Sequence, residues 1–195
     1  MSYSADYFKK IHDALSVMTV TDKSGEKIEI DSALQIWTEK NRAVQHEKKG
    51  FIFFCGNGAS ASMAEHMSHD YFQNAEINTI TCSEVSHITA IGNDIGYENV
   101  FSYRAKRILS EKDMLVAVSS SGNSPNIVRA IEAADGNGAF IVTLSGMKPD
   151  NKIRKMGHLN FYVPLSTYGE VESAHAVLLH CALDHFLDTF MGGRH

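Results

Sequence analysis

The apolar positions of this chain follow two different periods. Near the start they recur at helical steps. Tyr7, Phe8, Ile11, Leu15 and Met18 form one stripe and Ser4 can cap it, which predicts a helix from Ser4 to about Met18. Residues 19–30 are polar and contain Gly25, so they read as a connection. Asp31 suits the N-cap of a second helix that runs to Lys48, with Gly50 as its stop signal. From Phe51 the period changes. Phe51–Cys55 is short, wholly apolar and followed by glycines, as expected of a strand buried on both faces. Similar runs recur at 77–82, 114–118, 139–144 and 159–163, and helical patterns at 59–72, 98–109, 126–135 and 151–156 separate them. Strand and helix alternating at this spacing predict βαβ units, right-handed crossovers and a parallel sheet. A last helix from Gly169 to Phe190 is apolar nearly all round, which calls for cover on several sides, another subunit being one source. The tail Gly192–His195 reads as a frayed end.

Composition narrows the class of protein. At 195 residues the chain has the length of one domain, residues 1–50 forming the N-terminal helices and 51–195 the α/β core and last helix. Its 44% hydrophobic and 21% charged residues exclude disorder and fibrous repeats. A net charge of −5 weighs against nonspecific nucleic-acid binding, which needs a basic surface. The opening MSYSADYFKK lacks an apolar signal region, and no apolar run approaches the ~18 residues of a membrane helix, so no membrane partner is expected. Cys55, Cys82 and Cys181 are odd in number and scattered, which points to a reduced, cytoplasmic compartment.

Candidate chemistry sits first in two loops. Cys55-Gly-Asn-Gly-Ala-Ser60 follows one expected strand and enters a helix. Gly56 and Gly58 permit close backbone approach, and the helix start offers free N–H groups. Ser119-Ser-Ser-Gly-Asn-Ser124 follows another strand and supplies four hydroxyls. A phosphate can be held by such loops without Lys or Arg, although Ser, Gly and Asn also make plain turns. A rival reading is nucleotide binding: Gly56-Asn-Gly58-Ala-Ser-Ala61 fits the dinucleotide fingerprint, with Glu84 near the position of a ribose-binding acid. That reading leaves Ser119–Ser124 without a role.

The second source is the helices. His66 and Asp70 are i, i+4 and share a face with Met63 and Met67, while Glu65 and His69 pair on the opposite, solvated face. On the last helix His180 falls in one sector with Glu172, Ala176, Leu179, Leu183 and Leu187. Imidazole and carboxylate there can bind Zn²⁺ or pass protons, but a histidine on an apolar stripe is more often a satisfied core residue. His175 and His185 lie at the margins of that stripe and read as structural. Glu172 and His180 are separated by about 12 Å along a regular helix.

CGNGAS at 55–60, His66, EVSHITAIGNDIGYENVF at 84–101, SSSGNSPNIVRAI at 119–131, IVTLSG at 141–146 and the spacing from Ala174-His175 to His180 together resemble the sugar isomerase (SIS) domain family, and within it the phosphoheptose isomerases. The resemblance implies a three-layer α/β sandwich around a five-stranded parallel flavodoxin-like sheet, with an N-terminal helical hairpin and a long C-terminal helix. It implies a homotetramer with sites at subunit interfaces, and a sugar phosphate substrate bound by Asn57, Gly58, Ser60, Asp94, Ser119, Ser120, Ser121, Ser124 and Glu172. It makes Asp70 and His180 the base and acid of an aldose–ketose isomerisation through a cis-enediol, and some members hold zinc at positions matching His66, Asp70, Glu172 and His180. The family also contains noncatalytic members that bind a sugar phosphate or a protein partner, one of them a replication-initiator-binding protein. The chain departs from the family pattern at Asp70 (usually Glu), Glu172 (usually Gln), Asn74 (commonly Arg), Gly169-Glu170 (commonly Asp-Arg or Pro-Arg) and Met63 (often acidic).

Overall fold

The computed structural model describes residues 2–47 and 50–193, so Lys48, the expected end of the second helix, and Arg194 and His195 of the tail lie outside the described residues. Helix α1 spans Tyr3–Ser16, and its cap is Ser2, whose hydroxyl accepts from the Ala5 N–H, rather than Ser4. The expected connection after it is a β-hairpin of β1 (Thr19–Thr21) and β2 (Lys27–Ile28). Asp22 builds its turn, the carboxylate accepting from the N–H groups of Ser24 (2.8 Å) and Glu26 (3.0 Å). Helix α2 spans Ile30–Arg42, capped at Glu29 rather than Asp31, and continues as a π-helical turn over Ala43–Glu47. The expected helical hairpin is therefore two helices split by strands, each packed on the C-terminal helix α7 (Tyr168–Phe190).

Strands β3 (Ile52–Gly56), β4 (Thr79–Ile80), β5 (Met114–Ser119), β6 (Phe140–Ser145) and β7 (Leu159–Tyr162) follow. Between them lie α3 (Ala59–Asn74), α4 (Val85–Asp94), α5 (Ser102–Ile108) and α6 (Pro125–Gly136), with 3₁₀ turns at Tyr97–Asn99 and Lys152–Lys155. The sheet has seven strands in the order β2-β1-β7-β6-β5-β3-β4. The five expected strands are parallel, and the hairpin adds two antiparallel ones through β1 against β7, so the sheet is mixed rather than purely parallel. Strand β4 keeps only two residues of the expected 77–82 run.

Period-two alternation splits the central strands β3 and β5 between two cores. Ile52, Phe54, Met114, Val116 and Val118 face one side, packed with Trp37 of α2, Ala64, Met67 and Tyr71 of α3, and Leu179, Leu183 and Phe186 of α7. Phe53, Cys55, Leu115 and Ala117 face the other, against Ile91 of α4, Ala105 of α5, and Ile127 and Ala130 of α6. Among the described residues no helix is long and apolar enough to cross a membrane.

One consequence locates the site. Strands β3 and β5 are hydrogen-bonded neighbours, Gly56 level with Val118, so their carboxyl ends lie side by side. The helices that follow them, α3 and α6, leave toward opposite faces of the sheet. A crevice opens at such a reversal, and ligands of open α/β sheets bind there.

Candidate active site

The two expected loops meet in that crevice. Asn57, Ser60, Val118, Ser119, Ser120, Ser121, Ser124, Tyr168 and Glu172 line a cleft of about 130 Å³. Its shape depends on two glycines. A Cβ on Gly56 would come within 2.5 Å of the Ser60 carbonyl, so only glycine lets the strand end press against the first turn of α3. Gly122 has φ +63° and a Cβ there would lie 2.0 Å from Asn151 Oδ1. Asn151 in turn donates to Ser145 Oγ (3.2 Å) and to the carbonyls of Gly146 (3.2 Å) and Lys148 (2.8 Å), so the serine loop rests on a fixed support.

The cleft has unspent donors. Ser120 Oγ is buried with no hydrogen-bond partner among the described residues. Ser119 Oγ reaches Ser124 Oγ only at 3.5 Å, a weak contact that leaves both hydroxyls available. Among the described residues that line the cleft none is cationic, and the one charged side chain is the carboxylate of Glu172. The cleft offers an anion neutral donors and the α3 N-terminus, of which Gly58 is the cap.

The second half of the site forms where α3 packs on α7. His66, Asp70 and His180 place one donor atom each within 4.8 Å of one another. His66 Nε2 stands 3.4 Å from Asp70 Oδ2, and the rings of His66 and His180 meet edge-on with centroids 5.3 Å apart. Ser62, Met63, His66, Met67, Ala176, Leu179 and His180 line a largely apolar hollow of about 210 Å³. Buried His180 Nδ1 has no partner among the described residues, which is a cost unless something binds there. The donor set, two imidazoles and a carboxylate, suits zinc, whose tetrahedral bonds near 2.0–2.2 Å put neighbouring ligand atoms roughly 3.3–3.5 Å apart. The His66–Asp70 pair already has that spacing, and the 4.8 Å limit of the set asks for side-chain closure around an ion.

Two expected residues stand apart. Glu172 lies on the serine cleft, eight residues before His180 on the regular helix α7, and is not one of the three clustered groups. Asp94 is exposed at the end of α4, accepts from the Asn93 amide (2.8 Å), and is absent from the described lining of either hollow. The structure also brings in residues the sequence left without a role. Tyr168, 63% exposed, forms part of the cleft wall. Asn126 exchanges hydrogen bonds with Asn57. Both belong to segments with turn-like or cap-like polarity, and only the sheet's reversal shows which way they point.

The other candidates resolve into structural roles. Glu84 is gripped by Arg104 Nη1 at 2.9 and 3.1 Å, and that guanidinium holds its carboxyl below the usual range, so it is engaged where the nucleotide reading needs it free. Burial pushes the Cys82 thiol up to about 12 and the Cys55 thiol up as well, keeping both neutral and unreactive. His87 Nε2 meets the Val100 carbonyl at 2.8 Å, and His185 Nδ1 meets Thr38 Oγ1 at 2.7 Å. His175 is fully buried, which pushes its pKa down to about 4; the Ser145 backbone offsets this in part but sits outside hydrogen-bonding geometry.

Comparison with known proteins agrees with this arrangement. Residues 6–146 match the model of the SIS domain. The phosphoheptose isomerase of Fusobacterium nucleatum is 33% identical over 138 residues, which are 68% of this chain and 71% of that one. That of Coxiella burnetii is 31% identical over 163 residues, 80% of this chain and 81% of its own. Among solved structures, the phosphoheptose isomerase of Neisseria gonorrhoeae superposes with a TM-score of 0.79 at 26% identity, over 94% of this chain and 95% of that one. A cleft at the sheet's reversal, walled by serine and asparagine beside a histidine–aspartate cluster, thus occurs in a chain that belongs to the SIS domain family and is a relative of the phosphoheptose isomerases.

Proposed function

We propose that this protein is a phosphosugar isomerase of the phosphoheptose-isomerase type. The phosphate is held in the serine cleft by Ser60, Ser119, Ser120, Ser121, Ser124 and the free N–H groups of α3, with Asn57 and Glu172 along the sugar chain. The open-chain carbonyl end lies at the cluster. Asp70 removes the proton from the carbon beside the carbonyl while His180 protonates the carbonyl oxygen, giving a cis-enediol. Return of the proton to the neighbouring carbon and loss of one from the adjacent hydroxyl complete the aldose–ketose exchange. The observation that carries this reading is the convergence of Asp70 and His180 within 4.8 Å, with His66, on helices that also wall the serine cleft.

His66, Asp70 and His180 would alternatively hold zinc, leaving an open position as catalytic sites do, and the ion would then polarise a bound carbonyl in place of the His180 proton. Glu172 enters this set as a fourth ligand only through movement of the helix start, so its role is assigned to substrate. Exposed Tyr3 (84%) and Phe8 (68%) on α1 support assembly of a homotetramer, to be read by light scattering as four times 21.5 kDa. Three free cysteines support a cytoplasmic home.

The test is turnover of sedoheptulose 7-phosphate in D₂O followed by ¹H NMR. Conversion with deuterium entering at the carbon next to the carbonyl is expected. Binding without conversion would assign the noncatalytic, sugar-phosphate-sensing role instead, and absence of both would reject the site.

A further inference from the structure

The side-chain amide of Asn57 is held in one orientation by a series of donors that begins at the backbone. The Ile127 N–H, in the first turn of α6, donates to Asn126 Oδ1 at 3.0 Å. A backbone N–H can only donate, so it fixes which end of the Asn126 amide is oxygen. Asn126 Nδ2 then donates to Asn57 Oδ1 at 2.8 Å, and Asn57 Nδ2 donates back to Asn126 Oδ1 at 2.9 Å. The Tyr97 hydroxyl adds a third bond, donating to the same Asn57 Oδ1 at 3.2 Å. Asn57 Oδ1 has two lone pairs and both are used, whereas Nδ2 has two hydrogens and has spent one. Asn126 is only 2% exposed, so water cannot substitute for its partners. Tyr97 closes the network from a neighbouring pocket that Asn57 also lines, at 55% exposure.

We propose that Tyr97 and Asn126 are positioning residues that commit Asn57 to presenting a single N–H, and no oxygen, to the ligand in the serine cleft. The cleft therefore selects an acceptor at that point, a phosphoryl, carbonyl or hydroxyl oxygen, and rejects a group that can only donate, such as the ammonium of an amino sugar. This rests on the phosphosugar reading above, because it needs that ligand in the cleft.

Two measurements separate the network from the function. The side-chain amide signals of Asn57, assigned by their loss in Asn57→Ala, should shift and exchange faster in ligand-free Tyr97→Phe. Signals that stay put overturn the network whatever the activity. Sedoheptulose 7-phosphate titrated into the wild-type protein should move the same signals; a titration that moves the serine-loop amides and not Asn57 overturns the ligand half, with or without turnover.

With sedoheptulose 7-phosphate turned over, Tyr97→Phe should raise KM about three- to tenfold at nearly constant kcat, the size of one hydrogen bond to a ligand-binding group. In an Asn57→Ala background Tyr97→Phe should add nothing, because its only route to the ligand is gone. A full Tyr97→Phe effect in that background, or no effect in the wild type, overturns the proposal. Asn126→Ala should act in the same direction and more strongly, and exposed Tyr97 serves as the decisive variant if the buried change impairs folding.

Discussion

The serine cleft and the histidine–aspartate cluster share helices α3 and α7, yet they are built by different means. The cleft is made of backbone turns and short polar side chains from two contiguous segments, residues 57–60 and 119–124, set on glycines that nothing else can replace. Its backbone turns and the Asn57 amide are held before a ligand arrives, a preorganisation that favours selective binding. The cluster is three longer side chains from two helices far apart in sequence, held by packing around Met67, Leu179 and Leu183. One of its members is exposed and another keeps a buried nitrogen without a partner among the described residues. Under the proposed function, a fixed grip on the unreactive end beside adjustable groups at the reactive end lets binding energy be used to orient the chemistry. The two halves should therefore fail separately.

The largest effect should come from the cluster. Asp70→Asn keeps the shape and removes the proposed base, and His180→Ala removes the proposed acid; each should lower kcat by about 10²–10⁴-fold while KM moves by only a few-fold. Progress curves at saturating sugar phosphate read this directly. Equal losses in kcat and affinity would mean that the two halves are not distinct.

Next in size is the support of the cleft. Gly122→Ala puts a methyl at the Asn151 amide in a left-handed backbone region and should cost about 2–3 kcal/mol in urea unfolding, along with phosphate binding. Gly25→Ala in the β1–β2 turn also has positive φ but nothing within 4 Å. It should cost about 1 kcal/mol and leave binding unchanged. A similar loss of binding in both would show that the cleft responds to global stability and not to its own geometry.

The core beneath α7 adds a pH dependence that belongs to neither half. Burial lowers the His175 pKa from the ordinary histidine value of 6.5 to about 4 in the folded chain. Between those values the unfolded chain takes up a proton that the folded one refuses, so stability is full above about pH 6.5 and falls as the pH drops toward 4. The slope for one proton is about 1.4 kcal/mol per pH unit. His158, lowered mainly by burial, acts in the same direction, because its Nδ1 accepts from the Ile141 N–H and protonation would break that bond. Urea midpoints across this range should flatten by one proton's worth in His175→Leu.

The same contrast explains what the sequence makes legible. Strands β3, β5, β6 and β7, the glycine turns and the serine loop are written in local periodicity and turn chemistry, and they stand where the pattern puts them. The β1–β2 hairpin is not legible, because Thr19–Thr21 is polar outside Val20 and becomes a strand only by pairing with the edge of β7. The meeting of His66, Asp70 and His180 is beyond any spacing rule, since it depends on how two helices pack; the family resemblance supplied it. The separation of Glu172 from His180 was readable from helical rise alone. Tyr97 and Asn126 escaped because their partner is Asn57, and no period links these three positions.

The smallest effects should lie within the cleft, where several donors share one anion. Ser124 caps α6 by position, its side chain making no capping bond, and its hydroxyl has only the 3.5 Å contact with Ser119. Ser124→Ala therefore removes little from the folded state and should leave the urea midpoint within about 0.5 kcal/mol. It removes one proposed donor to the phosphate, so sugar-phosphate affinity measured by calorimetry should fall about three- to tenfold. Ser120→Ala has the opposite balance: its buried hydroxyl has no partner among the described residues, so truncation should be neutral or stabilising while affinity falls by a similar factor. An affinity loss in either variant that disappears when the phosphate is replaced by the free sugar would place those hydroxyls on the phosphate. A loss that persists with the free sugar would move the phosphate out of this cleft.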